Sequence, residues 1–187
     1  MRALRIAAAM LVAAALVSVS MAVASAHRDR EDDGDHHGRS GGVWFAIMRG
    51  RFEAPTPRDT PAMGVAVFHM SEGSMDYLIV VARISNVFAG HIHCGAPGVA
   101  GPVGVTLFMG TPGGGPVRGV LVRSSFLAPD AGNQCGWTSL ADVASAVANG
   151  TAYVNLHTND GMDPPNTGPG DFPGGEIRGQ LQAADDD

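Results

Sequence analysis

Short runs rich in β-branched and aromatic residues follow one another along the chain from residue 43 onwards. Several of them alternate apolar with polar residues, and turn residues separate them, which is typical of short β-strands. Eight such runs predict an antiparallel β-sandwich or β-barrel. The runs are VWFAIM (43–48), GVAVFHM (64–70), YLIVVARISNV (77–87), GHIHC (90–94), PVGVTLFMG (102–110), RGVLVRSSF (118–126), TAYVNLHT (151–158) and GEIRGQL (175–181).

One segment, TSLADVASAVANG (138–150), has a different period. Its apolar residues recur at helical spacing, a Thr-Ser pair precedes them as a helix cap, and Gly150 ends the pattern. We therefore predict one short helix, packed across an end of the sandwich. Residues 159–175 are rich in Gly, Pro and Asp, which predicts a loop.

The first 26 residues have the layout of a secretory signal peptide. Arg2 and Arg5 precede a long apolar run, and Ala24-Ser25-Ala26 supplies the small residues of a cleavage site. A retained membrane anchor is the alternative, but no second apolar run of spanning length follows in the sequence. We expect a secreted or extracytoplasmic protein without a membrane span after cleavage.

Both ends of the remaining chain are strongly polar. Residues 27–42 contain no apolar side chain, so they lack the surface that packing requires, and we predict a disordered charged arm. Residues 183–187 end in three aspartates and predict an acidic tail. One folded domain, residues 43–182, lies between them and has the usual size of a single domain.

The charge balance limits the range of partners. The chain has 12 basic and 18 acidic residues, a net charge of −6, and loss of a signal containing Arg2 and Arg5 makes it more acidic. The arginines are scattered rather than clustered. We therefore do not expect nucleic acid or an anionic membrane surface as a partner.

Cys94 and Cys135 are the two cysteines of the chain. In an exported protein such a pair predicts a disulfide. The alternative is that Cys94 serves as a metal ligand beside His93.

Three histidines share the polar side of predicted strands. Because side chains alternate along a strand, His91 and His93 lie on one face and Ile92 on the other. His157 shares a face with Asn155 by the same alternation. If the strands are neighbours, the three imidazoles converge with a polar cluster formed by Asn155, Glu176 and Arg178.

Two hypotheses account for such a cluster. Three imidazoles suit copper or zinc, so His91, His93 and His157 are candidate metal ligands. Alternatively, the histidines form hydrogen bonds with Glu176, Asn155 and backbone carbonyls that set the strand register. The sequence has no nucleophile elbow, Walker loop or His-Glu-x-x-His motif, so we predict that the protein is not an enzyme.

The segments AGHIHCGAPGVAGPVGVTLF, AYVNLHT and PGGEIRGQL together resemble the CHRD domain, the module named after chordin. The resemblance runs from Phe45 to Leu181. It implies a secreted antiparallel β-sandwich of immunoglobulin-like, Greek-key type, in the single-domain form found in bacterial exported proteins.

The sequence is also similar, more weakly, to copper-zinc superoxide dismutases. In that resemblance His91, His93 and His157 match copper ligands. The bridging histidine has no counterpart, because no histidine lies between His93 and His157. Dismutase activity is therefore not expected, and a lone copper site stays as an alternative.

These observations lead to two functional hypotheses. The first is a non-enzymatic exported domain that binds an unknown protein or surface ligand, or supports a surface assembly. The alternative is an extracytoplasmic protein that binds copper or zinc through its three histidines.

Overall fold

Nine β-strands and one α-helix form in residues 42–162 and 164–184, which the computed structural model of the protein describes. The predicted signal peptide, nearly all of the charged arm and the last three aspartates lie outside those residues. The strands are β1 (Val43–Arg49), β2 (Met63–Ser71), β3 (Ser74–Ser85), β4 (Val87–Cys94), β5 (Val103–Met109), β6 (Pro116–Phe126), β7 (Ala152–Thr158), β8 (Ile177–Gln180) and β9 (Gln182–Ala183), and the helix is α1 (Leu140–Ala148).

All nine strands belong to one antiparallel sheet. Its strand order is β5-β4-β7-β8-β1-β2-β3-β6, with β9 beside β1. Tyr77 on β3, near one end of this order, donates a hydrogen bond to the carbonyl of Leu107 on β5, at the other end. The sheet therefore curls until its two ends approach each other, and the fold is barrel-like.

The immunoglobulin-like sandwich is not confirmed, whereas the antiparallel all-β class with one short helix is. The reason lies in β8 and β9. β8 pairs with both β7 and β1, and β9 extends the pairing along β1, so the strands do not separate into two sheets. The alternation along a strand determines which side chains face the core, but it does not determine where a sheet ends.

The core is formed by the apolar side of the alternating strands. Phe68, Ile79, Ile92 and Leu156 are almost completely buried. β7 is buried along its whole length, because its second, polar face is also covered. The segments that cover this polar face hold the side chains of the candidate site in place.

The predicted helix is present as α1. Ser139 caps it, accepting a hydrogen bond from the amide of Asp142, whose carboxylate binds the Ser139 amide in return. Such a capping box satisfies two otherwise unpaired amides of the first turn. Val143 and Val147 bury the apolar face of the helix beside β7 and β9. Among the described residues no helix is both long and apolar enough to cross a membrane.

Two loops and one short helix cover the polar face of β4 and β7. The first is the 95–102 loop, which follows β4, and the second is the loop of residues 159–176, between β7 and β8. A 3-10 helix, Gly50–Phe52, follows β1 and delivers Glu53 to the same region. These segments turn a polar sheet face into a largely buried one.

Candidate metal centre

The pairing of β4 with β7 brings the three histidines together. His91 lies directly opposite Asn155, two residues before His157, and residues that face each other across an antiparallel pair share a face of the sheet. Ile92 points to the other face and is fully buried, as strand alternation predicts. One nitrogen from each imidazole of His91, His93 and His157, the histidine cluster, lies within 4.8 Å of the other two.

The cluster is buried on one side and accessible on the other. His93 is 7% exposed and His157 is 9% exposed, whereas His91 is only half-buried. Burial lowers the pKa of His93 to about 4, and Arg178 and His157 also disfavour its charged form. The pKa of His91 is likewise about 4, and burial lowers that of His157. All three imidazoles are therefore neutral at pH 7.

Backbone carbonyls determine the tautomers of two of the rings. Nδ1 of His93 lies 2.9 Å from the carbonyl oxygen of Gly101, and Nδ1 of His157 lies 2.9 Å from that of Pro173. A carbonyl oxygen only accepts hydrogen bonds, so Nδ1 carries the proton in both rings. In the neutral form their Nε2 atoms are then unprotonated and have a free lone pair.

These lone pairs have no hydrogen-bond partner among the described residues. The unpaired buried atoms of the histidine cluster are Nδ1 of His91 and Nε2 of both His93 and His157. Buried polar atoms are normally paired, and leaving one unpaired costs about 1–3 kcal/mol. Each of the three imidazoles therefore has a nitrogen that is free to bind a ligand.

The 95–102 loop holds the carbonyl of Gly101 in place. The Cys94 amide donates to the Pro102 carbonyl, and the Gly101 amide donates to the Tyr153 hydroxyl. Only glycine fits at position 101, because a Cβ there would lie 1.6 Å from the Cys94 carbonyl oxygen. The tautomer of His93 thus depends on a close approach of the loop to β4.

Arg178 anchors the same loop from the other side. Its guanidinium donates to the carbonyls of Val99 and Ala96, at 2.8 and 2.9 Å. The guanidinium carbon also lies 3.4 Å from the centre of the Tyr153 ring, which stacks on His93 with ring centres 4.9 Å apart. Arg178 is 2% exposed, so it is a buried positive charge close to the histidine cluster.

Glu53 and Asn155 form a second buried polar group beside the cluster. The Asn155 amide donates to a Glu53 carboxylate oxygen at 3.4 Å, and each side chain has one buried oxygen without a partner. Burial raises the pKa of Glu53 to about 7, although Arg178 and Arg58 oppose this shift.

The structure divides the predicted polar cluster into two sites. Asn155 and Arg178 border the histidines, whereas Glu176 lies in a separate pocket. There it is fully buried and accepts hydrogen bonds from the hydroxyls of Thr60 and Thr158 and from the Gly170 amide. Glu176 precedes β8 and joins two loops, and it makes no hydrogen bond to the imidazoles. Of the groups that the hydrogen-bonded alternative names, backbone carbonyls do bind His93 and His157.

The predicted disulfide between Cys94 and Cys135 is present. Its formation leaves Cys94 unavailable as a metal ligand, which removes that alternative. The disulfide ties the end of β4, next to His93, to the loop that precedes α1. Trp137 of that loop packs against Gly104 on β5.

Sequence reasoning missed the groups that orient the histidines. The carbonyls of Gly101 and Pro173 belong to loops, where no periodicity marks a backbone acceptor. Glu53 lies in an irregular segment after β1, and no pattern in the sequence connects it with Asn155. Three glycines within the seven residues after Cys94 were the one available sign that a loop approaches β4 closely.

Comparison with known proteins identifies one family. The family model of the CHRD domain matches residues 44–181, most of the chain, including the histidine cluster and the loops over it. Neither the curated proteins nor the solved structures that were searched contain a match.

Proposed function

The chain belongs to the CHRD domain family, a family of non-catalytic modules, and we propose that its domain binds one copper or zinc ion through His91, His93 and His157. The observation that supports this proposal is that the three imidazoles bring one nitrogen each within 4.8 Å of the others. Each ring also has one buried nitrogen without a hydrogen-bond partner among the described residues. Imidazole nitrogen is a common ligand of both metals.

The spacing of the nitrogens suits a single ion. An ion bound at about 2.0–2.1 Å to three nitrogens separates them by about 3.3–3.6 Å. Starting from the upper limit of 4.8 Å, each nitrogen has to move towards the centre by about 0.9 Å at most. Small changes of side-chain torsion angles supply such a movement without a change of the backbone.

The tautomers of His93 and His157 also favour metal binding. In metal sites the second ring nitrogen commonly donates to a carbonyl or carboxylate, which orients the ligand. The carbonyls of Gly101 and Pro173 accept such hydrogen bonds here. If the cluster only set the strand register, Nε2 of His93 and of His157 would be expected to form hydrogen bonds as well. Both atoms are unpaired among the described residues.

We place this function outside the cytoplasm. CHRD domains are extracellular in general, and the disulfide agrees with an oxidising compartment. The amino-terminal signal pattern supports export of this protein. Recognition of another protein or a surface ligand, the broader role of a non-catalytic module, is compatible with a bound ion.

Metal titration of the purified protein tests the proposal. We expect one equivalent of copper or zinc per chain, and we expect His157→Gln to abolish this binding. The matched control is His69→Gln, because His69 lies on β2, opposite Asp76 and outside the histidine cluster. Equal binding by both variants, or no stoichiometric binding by the unmodified protein, would contradict the proposal.

A further inference from the structure

The charges in and around the histidine cluster affect how tightly it binds monovalent and divalent metal ions. We propose that the cluster selects monovalent copper, Cu(I), over the divalent ions Cu(II) and Zn(II). This inference rests on the proposed function. The argument depends on the charge of the ligands, the burial of the site, the charges that surround it and the number of donors.

The ligand set carries no charge. Imidazole is a neutral donor, and in the part of the chain that the structure describes no carboxylate or thiolate joins the three imidazoles in the ligand group. Cys94, which follows His93 directly, is bonded to Cys135. A bound ion therefore retains its full positive charge, which for the divalent ions is twice that of Cu(I).

Burial makes this difference costly. The free-energy penalty for removing an ion from water grows with the square of its charge, so a divalent ion meets about four times the penalty of a monovalent one. His93 and His157 are both less than one-tenth exposed, and only the side at His91 is accessible to water. Within such a site, neutral ligands compensate a single charge far more easily than two.

A buried positive charge, that of Arg178, also lies close to the cluster. Arg178 contacts Tyr153, which stacks on His93, so the guanidinium charge adds to the positive charge that any bound ion brings to this region. Two carboxyls also lie near the cluster, but neither belongs to its ligand group. Asp130 accepts hydrogen bonds from the amide and hydroxyl of Thr106, and Glu53 contacts Asn155.

The number of donors favours the same ion. Zinc in proteins is almost always four-coordinate, so at this site it needs a water molecule or another group as its fourth ligand. Cu(I) has a filled d shell and forms stable complexes with two or three nitrogen donors. Three converging imidazoles therefore satisfy Cu(I) without a further ligand.

Competition titrations of the purified protein measure the preference directly. Cu(I) is supplied anaerobically with ascorbate and bicinchoninate as the competing ligand, and Zn(II) and Cu(II) are titrated against chromophoric chelators. We expect one equivalent of Cu(I), bound about 100-fold or more tightly than Zn(II), as the charge argument requires. The reduction potential of the copper-loaded protein should be more positive than that of copper in excess free imidazole.

A charge relocation tests the cause of the preference. The double variant Asn155→Asp, Glu53→Gln keeps one amide and one carboxyl in the pair, but it moves the carboxyl to the position opposite His91. We expect the ratio of Zn(II) to Cu(I) affinity to rise at least about tenfold in this variant, because a negative charge favours the divalent ion. Circular dichroism establishes that the variant folds, and if it does not, the titrations of the unmodified protein decide alone.

The outcomes separate this inference from the function on which it rests. If none of the three ions binds stoichiometrically, the proposed metal function fails and the selectivity fails with it. If one equivalent binds and His157→Gln abolishes it, but Zn(II) or Cu(II) binds as tightly as Cu(I), only the selectivity is overturned.

Discussion

Burial shifts the pKa values of the histidines and of Glu53 in opposite directions, because it disfavours the charged form of both kinds of side chain. It lowers the pKa of His93 to about 4, because the charged form of an imidazole is the protonated one. It raises the pKa of Glu53 to about 7, because the charged form of a carboxyl is the deprotonated one. The histidines are therefore available as ligands at neutral pH, whereas the ionisation of Glu53 reduces stability.

We predict that the effect of Glu53→Gln on stability becomes more favourable as the pH rises. Between pH 4.5 and 7 the unfolded chain loses the Glu53 proton while the folded protein keeps it, so the free energy of unfolding falls with increasing pH. Glutamine does not titrate. From pH 4 to pH 8 the variant should gain about 3 kcal/mol relative to the unmodified protein.

Urea denaturation at the two pH values measures this difference. Glu72→Gln is the control, because Glu72 is exposed in the turn between β2 and β3. A Glu53→Gln variant whose stability relative to the unmodified protein is the same at pH 4 and pH 8 would show that Glu53 ionises as freely in the folded state as in the unfolded one.

At the scale of single residues, the sequence predicts the three candidate metal ligands but not the groups that surround them. Strand alternation alone places His91 and His93 on one face, and the same rule applies to His157. The hydrogen bonds that set their tautomers come from the carbonyls of Gly101 and Pro173. Every residue has a carbonyl, so its identity carries no information about which carbonyl a fold uses.

At the scale of elements, the 95–102 loop acts as a support for His93. Gln180 and Arg178 on β8 hold its early carbonyls, while β4 holds its end through the Pro102 carbonyl. The Cys94–Cys135 disulfide fixes the start of the loop as well. The loop is thus attached to two strands at once, and its position determines where the Gly101 carbonyl lies.

We predict that Gly101→Ala lowers both the free energy of unfolding and the metal affinity of the histidine cluster. The added Cβ would meet the Cys94 carbonyl oxygen at 1.6 Å, so the loop has to move away from β4. We expect a loss of about 3 kcal/mol in the free energy of unfolding. Metal affinity should fall about tenfold although all three histidines remain, because the hydrogen bond that orients His93 is weakened.

Gly114→Ala provides the matched control. Position 114 is exposed, and the nearest atom to an added Cβ is the Thr111 carbonyl oxygen at 3.4 Å. This variant should match the unmodified protein in urea denaturation and in metal titration. If Gly101→Ala behaved like Gly114→Ala, the close approach of the loop would not support the site.

The elements themselves follow largely from the sequence, whereas their arrangement does not. All eight predicted runs form strands, and the capped segment forms α1. The missed strand, β9, has only two residues, too few for any alternation to be visible. Because β8 pairs with both β7 and β1, and β9 adds pairs along β1, these short strands make the sheet continuous and barrel-like.

At the scale of the whole molecule, the histidine cluster joins parts of the chain that are far apart in sequence. His91 and His93 belong to β4, His157 belongs to β7, and the Pro173 carbonyl comes from the loop before β8. Ligands so widely spaced have no fixed geometry in an unfolded chain. A metal ion bound to all three therefore favours the folded state over the unfolded one.

We predict from this linkage that metal loading raises the melting temperature. At a free Cu(I) concentration 100 times the dissociation constant, binding adds about 2.7 kcal/mol to the free energy of unfolding, which corresponds to a shift of about 8 °C for a domain of this size. Calorimetry with and without Cu(I), under anaerobic ascorbate, measures the shift, and a Cu(I) chelator should reverse it. His69→Gln should retain the full shift and His157→Gln should lose it. A protein that binds one equivalent of Cu(I) without a change in melting temperature would show that the unfolded chain binds the ion equally well, which a site assembled by β4 and β7 does not allow.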